Sequence, residues 1–257
     1  MDLATYELQA PAARITLNRA DKRNALSRGL IDALHAAFER ARDDQAARCV
    51  ILAGSGPVFC AGMDLAELSE SIGNSSEEKI WDDALRLARL YDLIYTLPKP
   101  TITAVNGAAV AGGAGLVTVC DLAVAVPAAK FGYPEVRRGL VAAMVMPHLM
   151  RHVGERCARH LLLTGDLIDA AEACRVGLIN AVASADKIGE VALGWAKACA
   201  EGGPNALART KDLLHQFSHQ AMSIEAAAKA SAAPRLTAEC QQGLRAFFDK
   251  KPAPWVK

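Results

Sequence analysis

Along residues 13–18, ARITLN, apolar and polar positions alternate, the period-two rhythm of a strand with one buried face. The rhythm then changes. Leu30, Leu34 and Phe38 recur at i, i+4 and i+8, with Ile31 beside them and Ser27 placed as an N-cap, which predicts a helix. Residues 48–53, RCVILA, are a continuous apolar run, as in a strand covered on both faces. GSGP breaks it. Asp64 is placed to cap a short helix through Leu68, residues 69–76 (SESIGNSS) read as a polar loop, and a long helix is predicted over 77–96, ending before Pro98.

The pattern then recurs. TITAV (101–105) predicts a strand, NGAAVAGG a turn, residues 113–119 a small-residue helix and DLAVAV (121–126) a further strand. Strand, glycine turn and helix thus occur twice at a spacing of about 50 residues, as stacked β-β-α turns would produce. Beyond about residue 140 only helices are expected, over 146–163, 169–176, 184–201, 205–219 and 222–250, with Pro204 and Pro234 as breaks. The expected organisation is an α/β core over residues 1–195 followed by a helical region over 196–257.

Composition narrows the class. The chain has 257 residues, 52% of them apolar and 22% charged, so a full core is available. Lys and Arg are scattered and the net charge is +1, so no nucleic-acid surface is expected. No charge occurs from Pro100 to Cys120, but four glycines, three threonines, Asn106 and a proline keep that stretch too polar for a membrane span. The seven cysteines include no CxxC pair, and the N-terminus shows no basic start followed by an apolar run, which together point to reduced thiols in a cytoplasmic protein. His148, His152 and His160 have near-helical spacing but no matching Cys or carboxylate, so no metal is expected. Neither a dinucleotide fingerprint nor a Walker lysine is present.

The candidate chemistry lies in two bare turns, FCAGMDL (59–65) and NGAAVAGGAGL (106–116). Without side chains, backbone N–H groups approach a ligand closely, and a helix start adds partial positive charge. Each turn is either a tight connection or half of an anion site. If that anion is an oxygen that gains charge during reaction, the pair is an oxyanion hole.

The ordered set FCAGMDL, NGxxxAGGxG, CDLAVA, FGYPEVRRGL and GLRAFFDKK strongly resembles the crotonase superfamily, the enoyl-CoA hydratases and isomerases, over residues 12–255. The resemblance implies a crotonase-like spiral of β-β-α repeats with a C-terminal helical trimerisation region, assembled as a homotrimer or a hexamer. It implies an acyl-CoA substrate whose thioester oxygen is held by the N–H groups of Met63 and Gly112, with no cofactor beyond CoA itself. It also implies CoA contacts at Arg23 and Ala25 in NRADKRNAL, at Ala61, Asp64 and Leu65 beside the pantetheine arm, and at Phe247 and Lys250, often supplied by a neighbouring subunit. Lys22 and Arg23 either meet phosphate or form a solvated helix lead-in.

Glu135, in FGYPEVRRG, matches one of the two glutamates that hold water in the hydratases. The other would fall at position 115, which is Gly115 here. A single glutamate suffices to move a proton between the α and γ carbons of an enoyl thioester, so the resemblance leans to double-bond isomerisation. Hydration with one glutamate, retro-aldol chemistry and a non-catalytic acyl-CoA-binding role stay open. So does a plain ion pair of Glu135 with Arg137 or Arg138. Glu67 and Tyr133 are near in sequence, but nothing marks either as a second polar group. A further departure is LVAAMVMPHLM (140–150), where the family carries a glycine-rich segment, and this predicts an altered, apolar acyl pocket.

Overall fold

The computed structural model describes residues 2–71, 76–217 and 223–252. Among the described residues ten strands form two sheets. The larger sheet contains β1 (Ala4–Gln9), β2 (Ala12–Leu17), β3 (Cys49–Gly54), β5 (Thr101–Val105), β7 (Leu122–Ala125) and β10 (Ala181–Val182), in that spatial order. The smaller contains β4 (Val58–Cys60), β6 (Ala108–Val110), β8 (Lys130–Gly132) and β9 (Leu167–Asp169). The chain alternates between them: β3 feeds β4, β5 feeds β6 and β7 feeds β8. Successive turns add parallel strands to each sheet, Val50 beside Thr101 and Ile102 beside Leu122 in one, Ala109 beside Phe131 in the other. The β-β-α spiral expected from the repeat is the observed architecture.

The helices are α1 (Arg28–Asp43), α2 (Leu65–Ser71), α3 (Glu77–Thr96), α4 (Gly112–Thr118), α5 (Met146–Thr164), α6 (Ala170–Arg175), α7 (Ile188–Ala200), α8 (Pro204–Phe217), α9 (Ile224–Ala232) and α10 (Ala238–Phe248). Ser27 caps α1 by accepting from Leu30 N, and Leu30, Ile31, Leu34 and Phe38 form its buried face. β3 and β5 are buried almost throughout, as central parallel strands require.

Three expectations need correction. Strands do not stop at 140: β9 pairs antiparallel with β8, and β10 joins β7. With three and two residues, they are too short to carry a periodic signature. Nor is 222–250 one helix. Pro234 ends α9 in a 3-10 turn over Ala233–Leu236, and Thr237 starts α10 afresh, its hydroxyl accepting from Cys240 N at 3.2 Å. Finally, α2 runs on through Ser71 into the segment read as a loop, whose positions 72–75 lie outside the described residues, as do 218–222 at the adjoining ends of the last two predicted helices.

Among the described residues no helix is long and apolar enough to cross a membrane. The C-terminal helices fold back on their own chain. Ala228 and Ala232 of α9 pack against Ile80, Ala84 and Ala88 of α3, while Cys240 and Leu244 of α10 pack against Leu68 of α2. These contacts roof the cavity described next.

Candidate active site

The first glycine turn follows β4. Gly62 has φ +90°, open to glycine at no steric cost. Residues 62–64 pair with Leu26: Leu26 N donates to Gly62 O at 2.8 Å and Asp64 N to Leu26 O at 3.0 Å. In such a pairing the middle residue turns its own N–H to the opposite side, so the Met63 amide faces away from Leu26. The second turn follows β6. Ala111, at φ 53° and ψ −125°, redirects the chain into α4, whose first residue is Gly112. That backbone is strained for alanine and is held by Ala111 N donating to Gly132 O at 2.8 Å. Among the described residues, neither Met63 N nor Gly112 N has a hydrogen-bond acceptor.

The two turns touch, and glycine is the reason. A methyl group on Gly62 would lie 2.8 Å from Ala111 Cβ and 3.3 Å from Gly112 N, and one on Gly113 would collide with the Cys60 carbonyl oxygen. Asn24, fully buried, fastens the loop before α1 to the first turn. Its side-chain amide donates to the carbonyls of Ser55 (2.9 Å), Val58 (2.8 Å) and Phe59 (3.0 Å), and its oxygen accepts from Arg19 N.

Both turns open onto a cavity of about 780 Å³, counting its mouth. Glu135, on the 3-10 turn Pro134–Arg138, lines it. The residue as a whole is half-buried, yet its Oε2 is sealed from solvent and has no hydrogen-bond partner among the described residues. Burial pushes its carboxyl up to about 7, against a weaker downward pull from a backbone hydrogen bond and from Arg138. The simple ion-pair alternative does not hold. Arg137 turns to Asp166 at 2.7 Å and to Thr164 O, and Arg138 donates to Pro134 O at 3.3 Å while its guanidinium stacks on Phe247. The buried hydroxyls of Tyr91 and Tyr133 are the other titratable groups near this carboxylate, and burial raises both.

The seat of a second acid is filled. A Cβ on Gly115 would collide with the Tyr91 hydroxyl and lie 2.5 Å from Val145 Cγ1. Tyr91, on α3, donates to Gly112 O at 2.6 Å and lines the cavity, so a phenol occupies the volume a side chain at 115 would need.

The cavity thus gathers Glu135, Met63, Gly112, Ala61 and Leu65. Other expected contacts lie outside it. Arg23 is exposed and Ala25 half-buried, on the loop whose Arg23 carbonyl accepts from Ala61 N at 3.1 Å. The Asp64 carboxylate is committed to Arg19 (2.6 Å) and to capping α2 through Ala66 N. Burial raises its pKa, but these hydrogen bonds outweigh that and the net shift is downward. Phe247 and Lys250 are exposed at the end of α10, beyond the lining. Sequence reasoning missed Tyr91, Asn24, Ser231 and Arg235. Only the Gly115 departure hinted at one of them, by asking what fills the space.

Two sheets wound as a β-β-α spiral, with paired glycine turns meeting over a buried acid, define a crotonase-fold protein. The chain belongs to the enoyl-CoA hydratase/isomerase family, whose model matches residues 7–257, and so to enzymes acting on acyl-CoA thioesters. It is 43% identical over 242 residues to a Thermus thermophilus protein provisionally named an enoyl-CoA hydratase, covering 93% of this chain and 95% of that one. It is 32% identical to the zebrafish (Danio rerio) enoyl-CoA hydratase domain-containing protein 3, covering 98% and 87%. A crystal structure of an enoyl-CoA hydratase from Mycobacterium avium superposes with a TM-score of 0.85 at 33% identity, over the whole of both chains.

Proposed function

We propose that this protein moves a proton within an enoyl-CoA, shifting its double bond, with Glu135 as the sole acid–base group. The Met63 and Gly112 amides hold the thioester oxygen and stabilise the negative charge it gains as the enolate forms. Glu135 removes a proton from one carbon, and its carboxylic acid returns it to another. A pKa of about 7 suits a group that must take and give a proton near neutral pH. The observation that carries this reading is the filled seat at Gly115: Tyr91 and Val145 leave no space there for a second carboxylate.

One observation favours a second reading, hydration. The Tyr91 hydroxyl lines the cavity and uses its proton on Gly112 O, which leaves an oxygen lone pair able to accept from a water. Incubation with 3-enoyl-CoA and 2-enoyl-CoA, followed by product mass, separates the two. Isomerisation leaves the mass unchanged and interconverts the substrates. Net addition of one water as the main outcome from both would overturn the leading reading. We also propose, on the family likeness, that the chain assembles as a trimer or a dimer of trimers.

A further inference from the structure

The far wall of the cavity is not apolar. Arg235, on the 3-10 turn after α9, is only 5% exposed and lines the same cavity as Glu135. A guanidinium has five N–H donors. Among the described residues one hydrogen bond is made: Nη2 donates to the hydroxyl of Ser231, also buried and also lining the cavity, at 3.2 Å. Nε is sealed, with no hydrogen-bond partner among the described residues. The carboxylate whose charge Arg235 feels most, Asp83, is already gripped by Arg28 through two hydrogen bonds of 2.6 and 2.5 Å. A buried arginine serving structure alone is ordinarily saturated with carbonyl and carboxylate acceptors. This one is not.

Its position is also informative. Asp83, Leu87 and Tyr91 follow at i, i+4 and i+8 along α3; Leu87 and Tyr91 line the cavity, and Tyr91 bonds the Gly112 carbonyl. Eight residues of helix span about 12 Å. Arg235, beside the Asp83 end, therefore stands well away from the reacting end, at the distance of an acyl tail. The charged residues of the lining are Glu135, Arg138 and Arg235, two cations for one acid, and burial keeps that acid partly protonated at neutral pH.

We propose that Arg235 and Ser231 form a carboxylate-binding subsite at the end of the acyl pocket, and that the substrate is the CoA monothioester of a dicarboxylic acid. The free carboxylate supplies the acceptors the guanidinium lacks, in charge-assisted hydrogen bonds, and Ser231 can add its own proton. The proposal rests on the acyl-CoA reading above, yet its test needs no turnover.

Calorimetric titration with saturated, unreactive thioesters compares glutaryl-, adipyl- and suberyl-CoA with the methyl-ended pentanoyl-, hexanoyl- and octanoyl-CoA. The readout is the affinity ratio within each matched pair, for the wild type and for Arg235→Gln. At the best-fitting length the wild type is expected to favour the carboxylate end by at least about tenfold, and Arg235→Gln to bring that ratio near one. A wild type that prefers the methyl end at every length overturns the subsite, as does a preference that survives Arg235→Gln. If the variant fails to fold, the wild-type ratio decides alone. Should thioesters bind with this preference while no enoyl-CoA is turned over, the catalytic reading fails and the subsite stands.

Discussion

In the proposed function a single carboxyl carries most of the chemistry. Glu135 sits where ionisation is costly, which raises its folded-state pKa from the usual 4.5 to about 7. Two consequences follow with opposite signs. On the proposed reading activity needs the carboxylate, so kcat/KM should rise with pH through a midpoint near 7 and then level, as a rate–pH profile would show. Stability runs the other way. Below about pH 4.5 the group is protonated in both folded and unfolded chains; as pH climbs toward 7 the unfolded chain ionises freely and the folded one does not. Above 7 the folded protein has lost roughly 3 kcal/mol relative to acid conditions. Glu135→Gln escapes that loss, so denaturant titration should find it more stable than wild type at pH 8 and about equal at pH 4. At Gly115 the expected outcome is steric. Gly115→Ala pushes a methyl into the Tyr91 hydroxyl and should cost about 1–3 kcal/mol, and Tyr91→Phe should relieve part of it in a double-mutant cycle. That Glu135, Met63 and Gly112 would meet, and that Gly115 marks a departure, was legible in the motifs. Tyr91 was not, because in the sequence it is one more apolar-stripe position beside Leu87, Leu90 and Ile94.

Between elements, the decisive contact is backbone against backbone. Gly62, Gly113 and the strained Ala111 let two strand–helix turns meet so closely that their amides share one cavity. Gly62→Ala combines a forbidden φ with a clash at Ala111, so thermal unfolding should report a loss of roughly 2–4 kcal/mol. Asn24→Ala strips three carbonyls of their shared donor and should cost about 2–3 kcal/mol, with turnover falling further than stability because the first turn loses its anchor. The strongly periodic elements, α1, α3, β3 and β5, were readable because their hydrophobic spacing is long and unbroken. The three-residue strands β4, β6, β8 and β9 were not: each is shorter than any period it could display, and the second sheet exists only through pairing between distant segments. Arg235 stayed hidden for a similar reason, since only the return of α9 onto α3 brings it to the cavity.

On the scale of the molecule, the spiral is a frame that fixes two turns and one acid, and the C-terminal helices close it. α10 lies on α2 and on the turn bearing Glu135, so the C-terminal cover of the cavity packs directly on that turn. If the family's assembly holds for this chain, sedimentation should give a mass three or six times 27.2 kDa. The proposed function rests on one acid ferrying a proton beside two amides. The most direct check is kcat/KM for a 3-enoyl-CoA with wild type and Glu135→Gln, after calorimetry has shown that both bind acyl-CoA alike. A fall of at least about a hundredfold, the lower range for a lost general base, is the predicted result. Turnover within a few-fold of wild type would contradict it and move the chemistry to another residue.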